Sequence, residues 1–201
     1  MSLSRKRLER EFFARSAPEV ARDLLGRVLV RTMRDGERIA GRIVETEAYT
    51  QDDPASHSHR GPTARNATMF EQAGSLYVYF TYGMHFCLNA VTGEPGEGSA
   101  VLIRALEPLE GLETMARNRA RTDPHVFCSG PARLCQAMGV TASDDGVDLV
   151  RDDSFSVEAG SPVAETDVVA TERIGIRRAV ELPRRYVVRT SEWVSRPHVN
   201  R

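Results

Sequence analysis

The 201-residue chain has no apolar run near the roughly 20 residues a membrane-spanning helix needs, so a helical membrane protein is set aside. Its three cysteines, Cys87, Cys128 and Cys135, are odd in number and have no metal-type spacing. They are expected to be reduced, mostly core thiols of a cytoplasmic protein, and not a disulfide framework. Lysine is almost absent, with Lys6 the one lysine among 27 basic residues. Coding bias explains that as readily as phosphate recognition does, so the ratio says nothing about partners. No internal repeat, low-complexity tract or obvious linker interrupts the chain. The N-terminal stretch Met1 to Arg7 is basic but leads into no apolar segment, so no secretory signal is expected.

The composition is that of a globular protein, with 41% hydrophobic and 27% charged residues. One domain over 1–201 is expected, with residues 1–10 as a flexible basic tail. The formal net charge of −1 argues against a nucleic-acid binder, but its distribution is uneven. Residues 1–42 carry eleven Lys/Arg against six Asp/Glu, residues 143–172 one against nine, and residues 173–201 eight against two. Two basic segments around an acidic one could form a one-sided basic surface for phosphates.

Ser16-Ala17-Pro18-Glu19 reads as a capping box opening a short helix that Gly26 closes. Val28–Val30 and Ile39–Ala48 read as strands joined at an Asp35-Gly36 turn. Residues 50–68, rich in Asp, Pro, Ser, His, Gly and Asn, read as a long loop, and such loops are usually functional. Leu76–Thr81, Phe86–Val91 and Ala100–Leu106 read as strands, and Leu109–Arg119 as a helix. A second helix opens at Ser129-Gly130-Pro131. Short strands follow around 154–158, 168–171 and 186–190. Strands and helices do not alternate regularly, so a mixed α+β domain around a mainly antiparallel sheet is predicted.

Chemistry gathers around Val44-Glu45-Thr46-Glu47-Ala48-Tyr49. Strand alternation puts Ile43, Glu45, Glu47 and Tyr49 on one face, at the mouth of the loop bearing His57 and His59. Two carboxylates beside an aromatic suggest a site with tuned ionisation, but from spacing alone a solvent-facing edge strand with two unremarkable glutamates is the leading reading. Spacing alone does not separate Glu45 from Glu47. Tyr77 and Tyr79 share a strand face and could be core. Tyr82, before Gly83-Met84 at a bend, could protrude as a wedge that unstacks bases. Arg104, in an apolar strand, needs a carboxylate or phosphate partner, or forms a structural ion pair. Two loop histidines without a third ligand are a weak metal signal, so no metal is expected.

These segments together resemble the alkyladenine (3-methyladenine) DNA glycosylases, in their bacterial-type form. The resemblance runs through Leu24-Leu25-Gly26, Ile43 to Tyr49, Arg65-Asn66, Met69-Phe70, Gly74 to Tyr79, Tyr82-Gly83-Met84, Phe86 to Asn89, Arg104 to Gly111 and Cys128 to Pro131. It continues weakly to Arg173 to Ile176 and Trp193 to Ser195. It implies a curved antiparallel sheet flanked by helices, and release of a damaged purine (3-methyladenine, 7-methylguanine, hypoxanthine or ethenoadenine) flipped out of double-stranded DNA. Glu47 would activate the attacking water. Arg104 would help hold that water and a DNA phosphate, with main chain near Ile174 as a further contact. Tyr49, His57 and Tyr79 would sandwich the base, and Asn89 would exclude normal guanine. Tyr82 would fill the hole left in the duplex, with Met84 beside it.

Without a lysine near this site, a lyase step is not expected, and no cofactor is implied. A monomer working at the nucleoid is expected. Ala67, where many relatives carry Arg, the extra His59, and the low net charge depart from the pattern and bear on DNA affinity. A damage-binding protein without catalysis and a small-molecule nucleoside hydrolase are the competing readings. The Glu47/Arg104 pair argues against the first, and the wedge candidate Tyr82 against the second.

Overall fold

The capping signals at Ser16–Glu19 place the first long helix. The Glu19 side chain accepts the Ser16 backbone N–H at 3.2 Å, and Pro18 sits in the first turn, where no intrahelical N–H is needed. Gly26 follows with φ of +83°, and a Cβ there would lie 2.1 Å from the Ser161 carbonyl oxygen, so only glycine fits. The computed structural model describes residues 4–81 and 83–196. Its strands are β1 (Ser4–Arg7), β2 (Val28–Thr32), β3 (Arg38–Tyr49), β4 (Leu76–Thr81), β5 (His85–Thr92), β6 (Ser99–Glu110), β7 (Phe155–Gly160), β8 (Val168–Thr171) and β9 (Arg185–Val188). Its α-helices are α1 (Arg10–Phe13), α2 (Ala17–Asp23), α3 (Leu112–Arg119) and α4 (Pro131–Ala137).

Every pairing is antiparallel, in the order β1-β7-β2-β3-β6-β5-β4. β3 is the central strand. One edge pairs with β6, while the other is shared by β2, along Arg38–Arg42, and β9, along Glu45–Glu47. β8 pairs with β9. The expected α+β fold, a curved antiparallel sheet flanked by helices, is the fold observed.

Alternation divides the two faces. Leu76 and Val78, Leu88 and Ala90, and Val101 and Ile103 point into the main core, beneath α2 and α4. Their neighbours Tyr77 and Tyr79, Cys87 and Asn89, and Leu102 and Arg104 point the other way and line a cavity.

Three expectations change. Ser4–Arg7, expected within a flexible tail, forms an edge strand against β7, because β7 otherwise offers an unpaired ladder there. Leu109 and Glu110 belong to β6 and not to a helix. Pairing with β3 as far as Ala40 overrides their helical pattern, and the chain turns only at Gly111, φ +73°. Ile43 leaves the Glu45 face. The β3–β6 register shifts between Ile43 and Glu45 and again between Glu45 and Thr46, and Ile43 packs in the main core.

Candidate active site

Glu47 and Tyr49 end the central strand, and Arg104 faces them from β6. Glu47 is wholly buried. Its Oε1 accepts the Ile174 backbone N–H at 2.7 Å, and its Oε2 accepts the Tyr49 hydroxyl at 2.8 Å and lies 3.2 Å from Arg104 Nη1. Glu45, equally buried, is held more fully. Its Oε1 accepts Arg104 Nε at 2.9 Å, Arg185 Nε at 2.7 Å and Ser195 Oγ at 2.8 Å, and its Oε2 accepts the Ser195 N–H at 2.6 Å. Two carboxylates and two guanidinium groups thus close a buried cluster without net charge, the arrangement that buried ions require.

The carboxylates titrate in opposite directions. Burial would raise Glu45, but Arg104, Arg185 and the hydrogen bonds from Arg185 and Ser195 bring it below its ordinary value. Burial raises Glu47 above its ordinary value, and the counteracting Arg104, Ile174 N–H and Tyr49 hydroxyl do not offset it. Burial, then Glu47, raise the Tyr49 hydroxyl, so it stays protonated and donates to Glu47.

Above this floor lies a cavity of about 550 Å³ walled by Tyr49, His57, Tyr79, Asn89 and Ile174. Every expected pocket residue therefore borders one space with Glu47 and Arg104. The His57 ring meets the Tyr79 ring edge-on, centroids 4.6 Å apart, and its Nδ1 lies 3.1 Å from the Tyr77 hydroxyl. His57 is open to solvent at the cavity mouth. Even so, partial desolvation against these rings, then the Arg65 charge, lower its pKa. Burial pushes the Tyr77 hydroxyl up to about 12. Asn89 is buried, and its Nδ2 donates to the Tyr77 carbonyl at 3.1 Å, which fixes the amide in the cavity wall.

Arg104 is 6% exposed and engaged by both glutamates, so the DNA phosphate expected on it finds its guanidinium already occupied. At the rim, Arg177, Arg178 and Arg196 line the cavity and are exposed. Met84 is 69% exposed at the β4–β5 turn, with Phe80 48% exposed beside it. Tyr82 lies outside the described residues. Among the described residues no three His, Cys, Asp or Glu side chains converge as metal ligands would, and no helix is long and apolar enough to cross a membrane.

Several supporting residues carried no local signal. Arg173 pairs with Asp53 in full burial, donates to the Ala48 carbonyl at 3.1 Å, and stands 4.7 Å from the Tyr49 ring centre. It braces that ring as a cation on its face. Arg184 reaches Asp53 at 3.4 Å and the Thr50 hydroxyl at 2.6 Å. The long loop is thereby fastened to the segment that carries Ile174. Tyr77, readable as mere core, does pack there, but its hydroxyl also contacts His57. The arginine density after residue 173 and the weak continuation of the resemblance through Arg173 to Ile176 are the signals that touch these residues, and neither points to Asp53.

A cavity walled by aromatic rings, with arginines at its rim and two buried carboxylates on its floor, has the form of a binding site for a flat ring. Comparison with known proteins makes the class particular. Residues 11–192 match the family described as methylpurine-DNA glycosylase, and the chain belongs to that family. It is similar to a protein of Carboxydothermus hydrogenoformans, 46% identical over 189 residues, covering 94% of this chain and 98% of the relative. It is also similar to one of Burkholderia lata, 49% identical over 197 residues, covering 96% and 93%. A third, of Rhodopseudomonas palustris, is 49% identical over 191 residues, covering 95% and 92%. All three carry the name "Putative 3-methyladenine DNA glycosylase". The chain is a DNA glycosylase, an enzyme of DNA repair.

Proposed function

We propose that the protein flips an alkylated purine, 3-methyladenine foremost and 7-methylguanine with it, out of duplex DNA and hydrolyses its N-glycosidic bond. Hypoxanthine and ethenoadenine extend the range. The observation that carries this reading is Glu47, a buried carboxylate with raised pKa on the floor of an aromatic cavity. The flipped base lies between Tyr49 on one side and His57 and Tyr79 on the other. Aromatic faces attract a cationic methylated purine, and a neutral His57 does not oppose it. Asn89, fixed by the Tyr77 carbonyl, stands where the exocyclic amine of guanine would clash.

Glu47 takes a proton from water. The water oxygen bonds to the sugar C1′, and the electron pair of the C1′–N bond leaves with the purine, which a prior positive charge makes a good leaving group. No lysine stands near Glu47, so the abasic sugar is released without a Schiff base. Tyr82 fills the place the base has left in the duplex, with Met84 beside it in the minor groove, at a cost of a few kcal/mol per unstacked step. The enzyme acts as a monomer at the nucleoid. The test is release of free purine from alkylated duplex DNA. Wild type should release it, and Glu47→Gln should lose at least about 10²-fold in single-turnover rate. Wild type without release, or an undiminished Glu47→Gln, sinks the reading.

A further inference from the structure

We propose that Glu45 is a positioning residue: anchored by Arg185 and Ser195, its carboxylate holds the Arg104 guanidinium across both glutamates and so keeps Glu47 available as the base. This rests on the reading of Glu47 given above. An arginine facing a single carboxylate prefers to grip both oxygens at once. Arg104 does not do so here. Its Nε goes to Glu45 at 2.9 Å, and only Nη1 reaches Glu47, at 3.2 Å.

Glu45 is unlike a chance ion pair in two respects. It accepts four donors, and three of them, Arg185 Nε, Ser195 N and Ser195 Oγ, come from near the C-terminus and touch no other carboxylate among the described pairs. It also sits on the segment where the β3–β6 register shifts on either side of one residue, so the strand is bent at the point that aims Glu45 and Glu47 at one arginine. Arg185 Nη2 further donates to the Arg196 carbonyl at 2.8 Å, which ties a rim arginine to the same anchor. Without the Glu45 charge, Arg104 turns its fork onto Glu47. The fork then covers the oxygen that must face water, and a fully paired carboxylate is a weaker base.

The experiment compares Glu45→Gln and Glu45→Asp with wild type by two readouts. One is the pH dependence of single-turnover purine release. The other is carbon NMR titration of the Glu47 carboxyl, assigned by its loss in Glu47→Gln. In Glu45→Gln the Glu47 midpoint moves to lower pH, the acid limb of the rate profile moves with it, and the plateau rate falls about tenfold. Glu45→Asp keeps the charge but draws the anchor back by one methylene, so it slows release with the midpoint unmoved.

A Glu45→Gln protein that melts earlier yet keeps the wild-type midpoint and plateau overturns the proposal, because only a structural role remains. Should Glu45→Gln fail to fold, Glu45→Asp decides alone, and a wild-type plateau there overturns it. A wild type that releases no purine counts against the proposed function instead, while the NMR midpoint still decides whether Glu45 governs Glu47.

Discussion

Glu45 and Glu47 are two residues apart on one strand, yet their contributions to stability run in opposite directions with pH. The raised pKa of Glu47 means that its folded environment favours the neutral form. Its contribution is therefore full below the ordinary carboxylate value of 4.5 and is lost as pH rises through the raised value. Glu45 is the reverse, contributing above 4.5 and losing that contribution as pH falls through its lowered value. In urea unfolding, wild type should lose stability relative to Glu47→Gln as pH rises above 4.5, and lose stability relative to Glu45→Gln as pH falls below 4.5. Equal slopes would contradict both assignments.

Tyr49→Phe keeps the ring but removes a hydrogen bond to a charged carboxylate, worth about 1.5 kcal/mol. The acid limb of the rate profile should then move up by about one pH unit. The residues of the cavity were legible because their types and order resemble a known family. Spacing left the two glutamates equal and only the resemblance separated them, since the groups that set them apart, Arg185 and Ser195, lie 140 and 150 residues along the chain from Glu45.

Among the elements, β3 decides the geometry of the site. The alternation of β4, β5 and β6 was readable from their residues, and with it the two-sided character of the sheet. Ile43 shows where that reading fails, because a register shift depends on the partner strand and leaves no mark in the strand's own sequence. The loop of residues 50–68 illustrates the same limit. Its length marked it as functional, but not its anchor, the buried Asp53 between Arg173 and Arg184. Asp53→Ala leaves Arg173 buried without its carboxylate, so it should destabilise the fold by about 3–5 kcal/mol in denaturant unfolding. The same change frees Tyr49 from its brace. A loss under about 1 kcal/mol would show that the loop is held by other contacts.

Over the whole molecule, the uneven charge distribution resolves differently at its two ends. The basic residues before residue 42 are largely answered by acids: Arg10 by Asp148, Arg31 by Asp144, and Arg38 by Glu110 and Glu158. The acidic segment after residue 143 thus neutralises the N-terminal one, and the expected two-part basic surface shrinks to its C-terminal part. Pairings between segments more than 100 residues apart could not be read from charge counts. Replacing Arg177, Arg178 or Arg196 with Ala should each lower the slope of log affinity against log salt by about 0.9 on duplex DNA. An unchanged slope would place the phosphates elsewhere.

The order in which the chain is made gives the C-terminal anchors a further meaning. Glu47 receives its backbone donor from residue 174, and Glu45 its partners from residues 185 and 195. A ribosome builds β3 well before these partners. A nascent chain stalled before residue 174 carries both glutamates and the aromatic walls but none of these donors, so the two buried carboxylates gain the partners that hold them only after more than a hundred further residues have been added.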